Sequence, residues 1–221
     1  MLIIDISANN AEPNWPQLKV GGVGGVWLKA TEGLTFKDKK FKAWRAKANA
    51  AGLRVGAYHY ARPDLHPTNP AQEAVNFTST VKKLDRRDLR PVLDFETKAS
   101  LSGTEMTAWA RSFNITVKAF LDCGPLFYTY PSFISSYMKI DKPVGYGLWL
   151  ASYGRNDGKE HSYSVPAPWK KAVAHQYTSK GHVFGEPGRV DLDSFGYDLK
   201  QFTKTQGWPP ALLAHPWLGL R

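Results

Sequence analysis

Short apolar runs alternate with longer segments of helical character along most of the chain. Apolar runs of this kind, bounded by turn residues, are typical of buried strands, and their alternation with helices is typical of parallel sheets with crossover helices. Eight runs fit the pattern, which is enough to close a barrel. The predicted strands are Leu2 to Ile6, Val26 to Ala30, Val55 to Tyr60, Pro91 to Phe95, Leu126 to Tyr130, Gly147 to Ala151, Ala172 to Gln176 and Val190 to Phe195.

Helical segments separate the earlier strands, whereas the connections after Ala151 are loops rich in Gly, Pro, Ser and aromatic residues. We therefore predict an α/β fold, an irregular TIM-like barrel of about five β/α units followed by three strands. One catalytic domain should cover residues 1–200, and the proline- and tryptophan-rich residues 201–221 should form a tail packed on the barrel. The predicted helices are Asp38 to Ala51, Pro70 to Leu84 with Asn69 as its cap, Thr104 to Leu121 and Ser132 to Met138.

Acidic residues fall where such a barrel assembles its chemistry, at the carboxyl ends of the parallel strands. Asp5 ends the first strand, Asp94 and Glu96 end the fourth, and Asp191 belongs to the last. Residues i and i+2 of a strand share a face about 7 Å apart, so Asp94 and Glu96 should point together into the barrel mouth while Phe95 faces the helices. Because the first and last strands of a closed barrel are neighbours, Asp5 and Asp191 should join them.

Two carboxyl groups at this spacing suit glycoside hydrolysis, in which a protonated acid donates to the leaving oxygen and an ionised partner stabilises the oxocarbenium-like centre. Mutual repulsion and partial desolvation should raise the pKa of one of them. Two alternatives stay open at this point: a solvated strand end, and a divalent metal site, since oxygen-rich clusters bind such ions. His59 and His175 are interpreted as hydrogen-bonded barrel residues and not as metal ligands.

Aromatic and polar residues near the same strand ends are typical of a carbohydrate groove, because sugar rings stack on aromatic faces and sugar hydroxyls need polar partners. Each of these residues by itself could equally be part of the core. The candidate substrate-binding residues are Tyr58, Tyr60, Tyr128, Trp149, Gln176 and Lys29.

Composition narrows the choice of partner and compartment. The formal net charge of +10 favours polyanions such as anionic wall polymers, but the basic segments lack the interleaved aromatic residues of a nucleic-acid groove, so no nucleic acid is expected. Cys123 is the single cysteine, which excludes an intramolecular disulfide and indicates a buried packing role.

The opening MLIIDISANN lacks signal-peptide features, and no apolar run is long enough to span a bilayer. We therefore expect a protein made in the host cytoplasm without membrane insertion. We also expect it to be a monomer.

Eight segments together resemble glycoside hydrolase family 25, the Chalaropsis-type lysozymes, from Leu2 to Phe195. They are IIDIS, GVWLKATEG, AAGLRVGAYHYARP, RPVLDFE, PLFYTYPSF, GLWLASYG, AHQYTSKG and VDLDSF, in the order and at roughly the spacing of that family.

The resemblance implies a muramidase that cleaves the β-1,4 bond between N-acetylmuramic acid and N-acetylglucosamine in bacterial peptidoglycan, without a metal or other cofactor. By position, Glu96 matches the family's general acid, Asp94 the carboxylate that stabilises the transition state or an oxazoline intermediate, and Asp5 and Asp191 its further aspartates. With no signal peptide in view, a phage endolysin that reaches the wall through holin-type membrane holes is expected. The alternative is a non-catalytic wall-binding module on the same fold.

Overall fold

The computed structural model describes residues 1–85 and 87–196, and nine strands of this part of the chain share one sheet. The predicted tail of residues 201–221, with the last residues of the predicted domain, lies outside the described residues. The strands are β1 (Leu2–Ile6), β2 (Val23–Glu32), β3 (Phe36–Lys37), β4 (Arg54–Tyr60), β5 (Val92–Asp94), β6 (Leu126–Thr129), β7 (Leu148–Ala151), β8 (Ala174–Gly181) and β9 (Val190–Phe195).

Eight of these strands close into a barrel because β1 pairs with β2 on one side and with β9 on the other. From β1 through β2, β4, β5, β6 and β7 to β8 each neighbouring pair is parallel. Strand β9 is antiparallel to both of its neighbours, so the expectation of a last strand parallel to the rest is wrong. The predicted irregular α/β barrel is confirmed, with mixed strand directions at its closure.

Five described helices lie between the strands, and none is described between β7 and β9. No helix among the described residues is both long enough and apolar enough to cross a membrane. The helices are α1 (Trp15–Val20), α2 (Phe41–Ala50), α3 (Pro70–Val81), α4 (Gly103–Leu121) and α5 (Pro131–Tyr137).

Helix boundaries differ from the predictions where polar side chains serve other contacts. Helix α2 begins at Phe41 and not at Asp38, because the Asp38 carboxylate accepts hydrogen bonds from the backbone N–H groups of Lys40 and Ala8 at 2.8 and 2.7 Å. Asn69 precedes α3 as predicted, but its side chain makes no capping hydrogen bond.

Helix α1 was not predicted, since six residues carry too little periodicity to be recognised.

Strand β8 is longer than predicted and runs on to Gly181, five residues past Gln176. Its polar second half pairs with the start of β9, where Gly181 faces Val190. A search for apolar runs does not detect this extension, because its residues are polar and it is stabilised by backbone pairing with β9.

The inside of the barrel is filled by large aromatic side chains, with Trp27 and Trp149 stacked at a ring-centroid distance of 4.3 Å. Both are buried, and the Trp27 indole N–H donates to the backbone carbonyl of Arg90 at 3.0 Å. A second core lies between the barrel and the helices, and Cys123 is buried in it as predicted. Phe95 packs there against Trp109 of α4, on the opposite side of the strand from its acidic neighbours.

Close packing around Trp27 makes Gly56 a position where added volume is costly. Gly56 is the cross-strand partner of Trp27, and a Cβ at Gly56 would collide with the indole ring. We expect Gly56→Ala to lower the free energy of unfolding by about 1–3 kcal/mol, the usual cost of overpacking a core. Gly188→Ala is the matched control, since nothing lies within 4 Å of a Cβ there. Equal urea-unfolding midpoints for the two variants would contradict this account.

Candidate active site

One cleft at the carboxyl ends of the parallel strands collects all ten of the predicted catalytic and substrate-binding residues. Its volume is about 210 Å³, and it opens to solvent at the barrel mouth. Ser7 and Asn9, in the loop after β1, line it as well and were not predicted. The ten are Asp5, Lys29, Tyr58, Tyr60, Asp94, Glu96, Tyr128, Trp149, Gln176 and Asp191.

Strand β5 sets the position of the central pair of acids. Asp94 is its last residue and is buried, and Glu96 follows two residues later, partly exposed to the cleft. Their carboxyl groups are close enough for the charge of Glu96 to raise the pKa of Asp94. One oxygen of Asp94, Oδ1, is buried without a hydrogen-bond partner. The cleft therefore holds one acid that faces solvent and one with an unsatisfied acceptor atom.

The reversed direction of β9 brings its acids to the same mouth. Because β9 starts where the parallel strands end, Asp191 near its beginning lies directly opposite Asp5 of β1 in the antiparallel ladder. Asp191 was predicted to lie at this mouth, and it does. The prediction assumed that it ends a parallel strand, which is wrong, because it lies near the beginning of an antiparallel one. Asp193, two residues further down, points into the barrel below it and is completely buried.

Asp193 is a buried acid that the sequence prediction missed. Its Oδ1 accepts a hydrogen bond from the Trp149 indole N–H at 2.7 Å, and its carboxyl group also contacts that of Asp5. Burial, and then the charge of Asp5, raise the pKa of Asp193 well above its usual range. The alternating pattern of VDLD places Asp193 on the same face of the strand as Asp191, but it does not indicate that Asp193 is buried.

Gln176 is the centre of a buried hydrogen-bond network beside Asp5. Its Oε1 accepts from the hydroxyl groups of Tyr128 and Tyr153 at 2.8 and 2.6 Å, and its Nε2 donates to Asp5 Oδ2 at 2.7 Å. The two tyrosines fix the orientation of the amide, because Oε1 can only accept and Nε2 can only donate. Tyr153 was not predicted, since it follows β7 in a loop that carries no apolar pattern.

Lys29 supplies the positive charge of the cleft. Its Nζ donates to Glu32 Oε2 at 2.6 Å and lies 4.8 Å from the ring centroid of Tyr60. The ammonium group lowers the pKa of both Asp94 and Glu96, although less than burial raises each of them. It thus partly offsets the repulsion among the acids.

The acids of the cleft share upward pKa shifts whose main cause is the loss of water around the charged form. For Asp5 and Asp94 the pKa lies well above its usual range, with Asp191 and Glu96 respectively as the leading like charge. The pKa of Glu96 is raised by burial and by the charge of Asp191, while burial raises the pKa of Asp191 to about 6. The cluster therefore keeps protons at pH values where isolated carboxyl groups have lost theirs.

Both barrel histidines are hydrogen-bonded within the protein, as predicted. The ring of His59 contacts Thr31 Oγ1 and Glu73 Oε2, each at 2.8 Å, and His175 lies between Glu160 and the backbone carbonyl of Ser152. Among residues 1–85 and 87–196, no group of three or more His, Cys, Asp or Glu side chains has the arrangement of a metal site.

The chain is similar in sequence to proteins named as lysozymes. The chain is 33% identical to the autolytic lysozyme of Clostridium acetobutylicum and 30% identical to lysozyme M1 of Streptomyces globisporus, with 87% of the chain aligned in each case. It spans 55% of the first relative and 66% of the second.

Solved structures agree with the sequence matches. The fold superposes on a bacterial lysozyme from Streptomyces coelicolor with a TM-score of 0.76 at 28% identity, covering 97% of this chain and 95% of that one. It also matches the CTP1L endolysin with a TM-score of 0.70 at 27% identity, covering 90% and 67% respectively. The profile of the glycosyl hydrolases family 25 matches residues 4–186, so the chain belongs to that family.

Proposed function

We propose that this protein is a muramidase, which hydrolyses the β-1,4 bond between N-acetylmuramic acid and N-acetylglucosamine in bacterial peptidoglycan. The observation that carries the proposal is the pair of Asp94 and Glu96 in an open cleft, with raised pKa values and tyrosines around them. Membership of a glycosidase family with lysozyme relatives supports the same substrate. A non-catalytic binding module would have no use for two desolvated acids, each of which costs folding free energy.

Glu96 is the proposed general acid. It is the partly exposed member of the pair, so it can reach a glycosidic oxygen, and its raised pKa lets it keep the proton to higher pH than an isolated glutamic acid would. Its proton passes to the glycosidic oxygen as the C1–O bond breaks, and the Glu96 carboxylate then takes a proton from the water that adds at C1.

Asp94 has the proposed role of holding the substrate's own acetamido group. Its buried Oδ1 lacks a donor, and the acetamido N–H of the sugar would supply one. A hydrogen bond to the charged form lowers a carboxyl pKa, so binding of the acetamido group would lower the pKa of Asp94 and favour the state in which Asp94 is ionised and Glu96 carries a proton. The acetamido oxygen then attacks C1, and Asp94 stabilises the positive oxazolinium ring. No covalent bond to the enzyme forms in this scheme.

Glu96→Gln tests the proposed acid directly. Removal of the proton donor should reduce the release of reducing ends from purified peptidoglycan by about 10²–10⁴-fold, while binding of the glycan persists because the amide keeps the shape of the side chain. The sugar at the new reducing end should be N-acetylmuramic acid. Glu105→Gln is the control, since that glutamate only caps α4 on the surface. Full activity of Glu96→Gln would refute the assignment.

Asp191 should set the alkaline limit of activity through its charge. Because the Asp191 carboxylate raises the pKa of Glu96, Asp191→Asn should lower that pKa and move the alkaline limb of the kcat/KM profile to lower pH. The acid form of Glu96 is the active form, so activity is lost earlier as pH rises. Asp141→Asn, which removes a surface carboxylate paired with Arg111, should leave the limb in place. A shift of the limb to higher pH would contradict the proposed proton donor.

The basic surface has the proposed role of holding the enzyme near anionic wall polymers. A net charge of +10 attracts polyanions over a distance that shrinks as salt rises, since the Debye length is about 10 Å at 0.1 M and about 3 Å at 1 M. Added salt should therefore slow the lysis of intact walls more than the cleavage of purified, polymer-free glycan. Equal salt dependence with the two substrates would show that the surface charge has no such role.

A role in phage-driven host lysis, with access to the wall through holin-type holes, is also proposed. The similarity to the CTP1L endolysin over 90% of this chain supports it.

A further inference from the structure

A second cleft lies on the rim of the barrel mouth, next to the ends of β6 and β7. Its volume is about 400 Å³, and its lining consists of Pro131, Ser152, Ser162, Tyr163 and Ser164. We call it the serine cleft. Pro131 begins α5 just after β6, and Ser152 directly follows β7, so the serine cleft opens on the same face of the barrel as the cleft that holds Glu96.

The Tyr163 ring gives the serine cleft an aromatic wall. It is 36% exposed, and it packs on the ring of His175 with a centroid distance of 3.8 Å. His175 is in turn held from both sides, because Nδ1 contacts Glu160 Oε1 at 3.1 Å and Nε2 contacts the Ser152 carbonyl oxygen at 2.8 Å. Glu160 also accepts a hydrogen bond from Ser194 of β9. The loop that carries Tyr163 is therefore anchored to the barrel at Glu160, three residues before Tyr163.

Tyr130 lies beside both clefts. It directly precedes Pro131 of the serine cleft, and it packs against the core cluster that contains Tyr128 and Trp149, two residues that line the cleft of Glu96. The serine cleft can thus be reached by the same extended molecule that occupies the catalytic cleft.

The chemistry of the lining indicates which part of the substrate would bind there. None of the five lining side chains is charged. The peptide stems of peptidoglycan carry carboxylate and ammonium groups, which need charged or strongly polar partners when they lose water. A neutral pyranose ring instead combines an apolar face, suited to an aromatic ring, with hydroxyl groups that can pair with serine hydroxyls.

We propose that the serine cleft binds a neutral N-acetylhexosamine ring of the glycan strand, separated along the strand from the bond that is cleaved, and that Tyr163 is its stacking wall. This inference rests on the proposed function, since it names a further contact for the same polymeric substrate. The consequence is a preference for long glycan strands over short ones.

The test compares Tyr163→Ala with the unmodified protein on peptide-free glycan fragments of increasing length, from a tetrasaccharide to long strands. For long strands we expect KM to rise about tenfold, the effect of losing one well-placed aromatic contact, with kcat unchanged. Tetrasaccharide kinetics should not change. Tyr163→Phe keeps the ring and should restore the KM for long strands. Ser162→Glu, which adds a charge to the neutral cleft, should raise that KM as well.

Phe120→Ala is the matched control, because Phe120 is 64% exposed near the end of α4, at the opposite end of the barrel from the mouth. It should leave both substrates unaffected. If Tyr163→Ala leaves the KM for long strands unchanged, or raises it equally for the tetrasaccharide, the serine cleft is not a glycan site. If the unmodified protein releases no reducing ends from any fragment, the proposed function fails instead.

Discussion

The burial of five neighbouring carboxyl groups, at one barrel mouth and just below it, is the constraint on which the site depends. Asp5, Asp94, Glu96, Asp191 and Asp193 are drawn together by the closure of the sheet, and every one of them has a raised pKa. Such a cluster opposes folding unless protons, hydrogen-bond donors or positive charge offset the repulsion. The structure supplies donors from Gln176 and Trp149 and a positive charge from Lys29. Because burial raises each pKa and repulsion adds to the effect for most of them, these acids keep protons that isolated carboxyl groups would have lost.

The aromatic interior of the barrel is the rigid support beneath those acids. Trp149 stacks on Trp27, which is tied to the Arg90 backbone, and donates its own N–H to Asp193. Trp149 therefore takes part both in the packing of the core and in the hydrogen bonding of the acids. Because the buried Trp149 ring packs against both Trp27 and Tyr128, its orientation is fixed, and the hydrogen bond to Asp193 is preorganised by the core.

The direction of the last strand decides which acids face each other. With β9 antiparallel, Asp191 is opposite Asp5, and Asp193 lies below them within the barrel. A parallel last strand would have placed the end of β9, and not its beginning, at the mouth. Strand β9, which pairs with β8, also holds the loop that carries Tyr163, because Ser194 of β9 donates a hydrogen bond to Glu160 of that loop.

Local pattern in the sequence determined eight of the strands, most of the outer helices and the ten predicted residues that line the cleft at the barrel mouth. Apolar runs, and acids at their ends, are local signals, and period-two alternation correctly separated Asp94 and Glu96 from Phe95. Only the tertiary structure decided the direction of β9, the burial of Asp193 and the meeting of Tyr153 with Gln176. Those features depend on pairing and packing between segments that are distant in sequence. The pattern within a short segment does not show which distant segment it will contact. The short helix α1 and the strand β3 belong to the same class, because elements of six and two residues are stabilised by what they pack against and not by their own pattern.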